Sequence, residues 1–446
     1  MKTNLIFELL DEMGLSETSF PDKVMAWNIE EFNDFHIRIN EAIAYSKNRN
    51  TVNQYSFIAN TQMSGGPDPC AMIDCRHKNL DLLARNTLLY ADKVYLQNWF
   101  ERSHEIESIN DEQKISVANS IGLLHYVRPL LEKGYFEICS SEHHFCPSCY
   151  QELLDSGLED FEKKIDRLEK YLVNKYLKKG VYTLEEKNGH VFIVADGPSN
   201  LFEHPAYVHY TDQIPKGIIE LLESGSKVEL KKKESLASGI INFFVNQIIE
   251  DLQYQDYYGK VVNSNYLTTR EIDFKALSKI NSNKTNNLNE KVLSSLSHSV
   301  PYVLNSELSS LVELREKEGE SFQVYRNSMA TLSKDLRKET DEKVQQALKD
   351  VIEPEILKIN RSIKNSKSLL KQDLSIDVLI GSCFVGVGLF SGIVPANIGP
   401  IIAGIGGVDF LNKVTKNVVK LNQDPPQIRE NNFYFLWKAS QHGSEL

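Results

Sequence analysis

Residues 378–408 read VLIGSCFVGVGLFSGIVPANIGPIIAGIGGV and carry no charged side chain across 31 positions. Asp377 and Asp409 close the run on either side. Its length exceeds the roughly 20 residues that a helix needs to cross a bilayer. However, it contains eight glycines, and each costs a helix in water about 1 kcal/mol relative to alanine. The segment is therefore too apolar for an ordinary surface and too rich in glycine for an isolated helix.

Pro395 and Pro400 lie in the middle of this run and predict a turn. We expect a Gly-rich apolar hairpin, with a helix from about residue 376 to residue 394 and a second arm over residues 398–411. Two interpretations stay open. The hairpin either inserts into a membrane, where small residues let helices approach closely, or is buried within the protein.

A basic stripe precedes the apolar run. Its cations recur every three or four residues, which places them on one helical face. They are Lys358, Arg361, Lys364, Lys367 and Lys371. We predict that this stripe contacts a protein partner or an anionic membrane surface, because basic residues beside an apolar segment suit lipid head groups. A plain solvated helix face would have the same pattern.

The composition of the chain is that of a folded protein, with 446 residues, a net charge of −11 and a pI of about 5.6. An acidic balance argues against a general nucleic-acid binder. The first residues, MKTNLIFELLDEMG, lack the long apolar core of a signal peptide. We therefore expect a cytoplasmic protein, membrane-associated if the hairpin inserts. Its six cysteines should then be thiols or metal ligands, since disulfides are rare in that compartment.

Helical and strand-like segments alternate after residue 80. Leu80–Ala91 and Lys114–Lys133 have helical patterns, and Lys93–Gln97 and Tyr135–Cys139 read as short strands. This order predicts a small α/β unit with a parallel pair of strands. Further along, Asn188-Gly189 lies between two apolar runs, which is a strong signal for a β-hairpin.

The last third of the chain reads as helical, with long runs over Leu304–Arg337 and Thr340–Leu370. An aromatic end-piece follows at Asn432–Ser440, which we expect to dock into a groove of its own domain. Overall, the sequence predicts a mainly α protein with a small α/β N-terminal region, one β-hairpin and a C-terminal helical bundle that carries the apolar hairpin. We divide the chain into three domains, listed here by residue number: 1–150, 151–280 and 290–446.

Five of the six cysteines lie between residues 70 and 149, with histidines nearby. Cys146-Pro147-Ser148-Cys149 is a CxxC motif, and Cys70 and Cys75 form a second pair. Thiolates are preferred ligands of Zn²⁺, and two such pairs make a closed tetrahedral site. We predict a structural zinc ion bound by Cys70, Cys75, Cys146 and Cys149. Unrelated buried or free thiols would give the same sequence.

Signatures of common enzyme classes are absent from the sequence. It has no GxxxxGK[ST], GxSxG or HExxH motif, and no convincing GxGxxG after a strand. Scattered acids such as Asp74 and Asp92 would serve a metal-dependent nuclease only if the fold brought them together. The sequence therefore leaves enzymatic activity open.

Three segments together resemble a group of uncharacterised bacterial proteins. They are Leu88–Leu96 with Arg128–Phe136, then Leu311–Glu316 with Phe322 and Arg326, and finally the Gly-rich apolar segment with Phe433–Trp437. The resemblance implies a bacterial or prophage-borne protein without an assigned activity, and it supplies no catalytic residues.

Two hypotheses for the function follow. In the first, the protein is a non-enzymatic bacterial effector or interaction protein, in stress or phage defence, with a zinc-stabilised N-terminal region. Its C-terminal hairpin would contact a membrane, a protein partner or a second copy. In the second, it is a metal-dependent nucleic-acid-processing enzyme that loses cleavage when Asp74 or Asp92 is changed.

Overall fold

Four short strands form the first sheet of the protein, which is described here from a computed structural model. They are β1 (Ser56–Ala59), β2 (Lys93–Gln97), β3 (Phe136–Cys139) and β8 (Asn265–Leu267). All neighbours are parallel, and the order across the sheet is β3-β2-β1-β8. β1 is buried at every position, as expected for a parallel sheet covered on both faces.

A second sheet is antiparallel and local in sequence. Its strands are β4 (Val181–Lys187), β5 (His190–Asp196), β6 (Ala206–His209) and β7 (Lys227–Glu229), in the order β6-β5-β4-β7. β4 buries Tyr182 and Leu184, two residues apart, which is the alternation of a sheet with one covered face. β4 pairs with β5 from Lys187↔His190 outward, so the predicted hairpin is confirmed. A separate antiparallel pair joins β9 (Val300–Val303) to β10 (Val378–Gly381).

Helices cover and connect the sheets. The structure describes residues 5–45, 56–67, 70–89, 91–100, 106–139, 148, 151, 159–187, 190–198, 201–202, 205–209, 216–220, 222, 227–261, 264–268, 270, 272–273, 276, 300–303, 307–335, 350–351, 354–355, 378–381 and 431–441. The helices are α1 (Leu5–Glu12), α2 (Phe20–Ala26), α3 (Ile29–Tyr45), α4 (Ile73–Leu88), α5 (Asp111–Tyr126), α6 (Arg128–Glu132), α7 (Glu159–Lys179), α8 (Lys216–Ile219), α9 (Lys232–Ala237), α10 (Ile240–Val261), α11 (Leu308–Lys317), α12 (Gly319–Asp335) and α13 (Tyr434–Gln441).

The parallel sheet belongs to a core built from distant parts of the chain. The core combines α1–α6 with the sheet, and it also takes in residues of α11, α12 and α13. The aromatic end-piece docks here: Phe433, Tyr434, Phe435 and Trp437 are all buried, in a core that extends beyond the predicted domain of residues 290–446. Burial of four aromatic rings makes the end of the chain part of the first core.

The antiparallel sheet has a core of its own, filled by α7 and the first part of α10. Beyond that part, α10 reaches the face of the parallel sheet that the first core leaves uncovered. There, Tyr254 packs against Ile58, Tyr95 and Cys139, one residue from each of three neighbouring strands. One helix therefore contributes to both sheets. The division into three domains stays a prediction.

The predicted mainly α class is wrong. The described residues contain a parallel sheet, an antiparallel sheet and the β9–β10 pair, so the fold is mixed α/β. Several strands have only three or four residues, which is too short for an alternating pattern to be recognised. Val378–Gly381 is also a strand and not the start of a helix. The rest of the apolar segment lies outside the described residues.

Candidate functional site

The carboxyl edge of the parallel sheet carries a buried polar cluster. The chain runs from β1 to β2 and β3 in one direction, then returns as β8 on the other side of β1. The strand order therefore reverses between β1 and β8. Open parallel sheets bind ligands in the crevice at the carboxyl ends of the strands beside such a reversal. Here Asn60 and Thr61 follow β1, and Thr268 and Arg270 follow β8.

Asp251, from the middle of α10, lies at this edge and is only 2 % exposed. Its Oδ1 accepts hydrogen bonds from the backbone N–H of Thr61 at 2.9 Å and from the side-chain amide of Gln97 at 3.1 Å. Its Oδ2 pairs with the guanidinium of Arg270. One carboxylate thus connects the ends of β1 and β2 and the segment after β8 to the helix that the two sheets share.

A second carboxylate, that of Asp273, is completely buried beside the first. Its Oδ2 accepts hydrogen bonds from the Thr268 hydroxyl at 2.6 Å and from Arg270 Nε at 3.0 Å. Burial raises the pKa of Asp273 above its ordinary value, although Arg270 and Thr268 act in the opposite direction. The protonated form is therefore more favourable here than on a surface aspartate.

Two acceptors in this cluster have no hydrogen-bond partner among the described residues: Oδ1 of Asp273 and Oε1 of Gln255. Both are close to the end of β8, since Gln255 Nε2 donates to the carbonyl of Leu267 at 3.3 Å and Asp273 contacts Thr268. Buried acceptors that lack a donor suit an ordered water or a ligand N–H or O–H group.

The charges of the cluster disfavour a divalent cation. Arg270 contacts both Asp251 and Asp273, so a metal ion at either carboxylate would meet a guanidinium at close range. Within the described parts of the chain, no group of three or more His, Cys, Asp or Glu side chains is arranged to bind a metal. The geometry therefore suits a ligand that is a neutral hydrogen-bond donor. The same cluster also joins the two cores.

One of the two predicted cysteine pairs lies within the described residues. Cys75 is in the first turn of α4, and Cys70 lies five residues earlier, in the segment that leads into this helix. The neighbouring Cys70 thiol and partial burial raise the pKa of the Cys75 thiol. Cys75 is exposed and Cys70 is partly buried. Cys146 and Cys149 lie outside the described residues, so the predicted zinc ion stays a prediction.

The acids of the nuclease hypothesis are not gathered at one place. Asp74 is exposed in the first turn of α4. Asp92 instead binds two arginines of the C-terminal helices, Arg326 at 2.6 Å and Arg315 at 3.8 Å. Arg315 is held between the rings of Tyr135 and Phe322, and burial lowers its pKa to about 10. In this arrangement Asp92 fastens α11 and α12 to the parallel core.

The basic stripe lies outside the described residues. It consists of Lys358, Arg361, Lys364, Lys367 and Lys371. Across the described ranges, no helix has the length and apolar character needed to cross a membrane.

No protein-family model, curated protein or solved structure matches the chain.

Sequence reasoning does not find the cluster at the sheet edge. Asp251 follows Glu250 in α10, and two adjacent acids in a helix are typical of its solvent-exposed face. Arg270 and Asp273 follow a three-residue strand that carries no detectable pattern. Asn60 and Thr61 precede a Ser-Gly-Gly turn, which is a signal for a loop but not for its partners.

Proposed function

We propose that this protein is a non-enzymatic effector or interaction protein. The supporting observation is that arginines neutralise the acids of the parallel core. Arg270 pairs with Asp251 and Asp273, and Arg326 pairs with Asp92. A hydrolytic metal site needs carboxylates with open coordination positions. Carboxylates that bind arginines serve instead to hold elements together, as expected of a scaffold.

The cysteines add a second part to this proposal. Cys70 and Cys75 lie five residues apart where α4 begins, and neither is buried, which supports their binding to one zinc ion. We propose that Cys146 and Cys149 complete the coordination. The ion would then fasten the loop after β1 to the segment after β3, and it would stabilise the N-terminal region without taking part in a reaction.

The contact with a partner is assigned to the C-terminal part of the chain. The apolar segment and the basic stripe support an interaction with an anionic membrane surface, a protein partner or a second copy of the chain. The resemblance to bacterial proteins supports a role in stress or phage defence.

Two measurements on the full-length chain test the proposal. Elemental analysis should find about one zinc per chain, and the ion should be lost in the Cys146→Ser/Cys149→Ser variant but kept in Cys383→Ser. Sedimentation with anionic vesicles, paired with light scattering for self-association, should show binding that decreases when the five cations of the stripe are changed to Gln.

A matched control is available for the stripe. Lys231, Lys232 and Lys233 form another exposed basic run, at the start of α9. Changing these three to Gln should leave vesicle binding and self-association unchanged. The proposal would be overturned by magnesium-dependent cleavage of DNA or RNA that Asp92→Asn abolishes while the protein stays folded.

A further inference from the structure

We propose that a groove beside α6 binds a protonated aliphatic polyamine. The groove has a volume of about 1020 Å³, which is the size of a small-molecule site. Its walls come from distant parts of the chain: the segment that leads into α2, then α4, α5 and α6, and finally the start of α11. None of its residues belongs to the cluster at the sheet edge or to the predicted zinc site.

The lysine and arginine side chains that line the groove are engaged by carboxylates. The pairs are Arg85 with Asp81 at 2.7 Å, Arg128 with Glu132 at 2.8 Å and Lys133 with Glu316 at 3.6 Å. An anionic ligand would have to compete with these carboxylates for the cations. The groove therefore disfavours a phosphate or a carboxylate ligand.

Two further carboxylates line the groove without a cation. Glu17 lies before α2 and Glu307 directly before α11, and both are exposed. Neither forms an ion pair within the described residues, and Glu307 accepts a long hydrogen bond from Ser309 Oγ at 3.4 Å. Unpaired negative charges in a concave surface raise the local concentration of cations. Two such carboxylates suit a ligand that carries more than one ammonium group.

A buried acceptor in the same groove also points to a ligand N–H group. His125 lines the groove and is 7 % exposed. Its Nε2 lies 2.8 Å from the carbonyl oxygen of Leu15, and since a carbonyl oxygen only accepts, Nε2 carries the proton. In the neutral ring Nδ1 is then an acceptor, and no described group donates to it. A buried acceptor without a donor suits an ammonium N–H of the ligand.

Aromatic and aliphatic side chains complete the lining. The rings of His77 and Tyr126 are 4.1 Å apart between centroids, and Phe20 and Leu308 lie in the same groove. Ring faces attract ammonium groups, and apolar side chains pack against the methylene chain between those groups. A bare metal ion would make no use of this apolar surface. The combined lining therefore matches a polyamine.

The test is titration calorimetry of the full-length chain with spermidine at constant ionic strength. A single site per chain is expected, with added hydrogen-exchange protection in α2 and α11. Glu17→Gln/Glu307→Gln should weaken the binding of spermidine by about tenfold, since both ammonium partners are lost. Glu30→Gln/Glu112→Gln is the matched control, because it removes the same charge from two exposed acids outside the groove and should leave the affinity unchanged.

His125→Phe keeps an aromatic ring but loses the Nδ1 acceptor. It should also weaken the binding of spermidine, in protein that circular dichroism shows to be folded. If this variant does not fold, the two glutamate variants decide the question.

Three results would overturn the proposal. The first is that the wild type does not bind spermidine. The second is equal weakening in the two double variants, and the third is displacement of spermidine by magnesium ions at the same concentration of charge. Either of the last two would mean that the net charge of the chain attracts the amine and that the groove does not.

Discussion

The two four-stranded sheets are assembled in opposite ways. The antiparallel sheet takes all its strands from residues 181–229: β4, β5 and β6 pair in sequence order, and β7 returns to the other side of β4. The parallel sheet takes its strands from residues 56 to 267 and needs α10 on one face. Helices from beyond residue 307 complete its core. Local pairing specifies the first arrangement, whereas the second depends on contacts made across the whole chain.

The largest expected effect comes from removing a core leucine in each sheet. Leu96 of β2 and Leu184 of β4 are both fully buried. Leu96→Ala and Leu184→Ala should each lower the free energy of unfolding by about 4 kcal/mol, from lost apolar contact and a cavity. Denaturant unfolding measures this loss, and hydrogen exchange locates it.

The two leucine variants should differ in how far the damage spreads. Loss of protection in Leu96→Ala should extend through β1, β3 and β8 to α11 and α13, since these elements share one core. In Leu184→Ala the loss of hydrogen-exchange protection should be limited to the antiparallel sheet and α7. Identical exchange patterns in the two variants would mean that the cores unfold as one unit.

A slightly smaller effect is expected at the ion pairs that fasten the C-terminal helices. Asp92→Ala leaves the side chains of Arg315 and Arg326, which are 7 % and 8 % exposed, without this carboxylate. Removing one partner of a buried pair costs about 3 kcal/mol. Protection should be lost first in α11 and α12. Glu132→Ala removes an exposed pair with Arg128 and should cost under about 0.5 kcal/mol; equal costs would contradict the role of Asp92.

The link between the two cores can be broken at Asp251. Asp251→Ala removes the acceptor for the Thr61 N–H and the Gln97 amide, which should cost about 2 kcal/mol. Arg270 also loses this carboxylate but keeps its pair with Asp273, so its charge is not left unpaired. We expect calorimetry to resolve two unfolding transitions where the wild type has closely coupled ones. Gln253→Ala changes an exposed residue of the same helix and should leave the transitions unaltered. A single unfolding transition at a lower temperature for Asp251→Ala would contradict the proposal that Asp251 links the two cores.

The smallest effect is a dependence on pH at Asp273. Its pKa is raised in the folded state by burial, so the folded protein holds this proton more tightly than the unfolded chain. Its contribution to stability is therefore fully present below the unfolded pKa and is lost as the pH rises through the folded pKa. Asp273→Asn cannot titrate. The unfolding free energy of wild type relative to this variant should fall as the pH rises above about 4, the ordinary pKa of an aspartate in an unfolded chain, and a rise would refute the assignment.

Sequence patterns predict the β4–β5 hairpin of the antiparallel sheet and the β2–β3 half of the parallel sheet. The Asn188-Gly189 signal identifies the β4–β5 pair, and Lys93–Gln97 is a strand with the predicted bounds. The parallel pairing of β2 with β3 also follows from the helix between them. Missing are β1 and β8, because three or four buried residues give no period and their partners lie far away in sequence.

The candidate site is less predictable than the fold, for a related reason. The sequence does indicate Cys70 and Cys75 as a pair, because they lie only five residues apart. Asp251 and Arg270 meet only because α10 crosses the carboxyl edge of a sheet whose last strand the sequence does not reveal. A charged pair formed between distant segments has no local signal.

The strands of the antiparallel sheet lie in the sequence between β3 and β8 of the parallel sheet, and this order affects folding during synthesis. The ribosome releases β1, β2 and β3 well before Asn265–Leu267, so the growing chain holds a three-stranded sheet whose β1 edge is open. Unpaired edge groups can pair with a neighbouring nascent chain. The antiparallel sheet, second in sequence, has all its strands by Glu229, and the part of α10 that covers it is also made before β8. The yield of folded protein should therefore depend on how fast the ribosome translates the codons for residues 230–267. This rate sets the time for which the edge of β1 is unpaired before β8 is made.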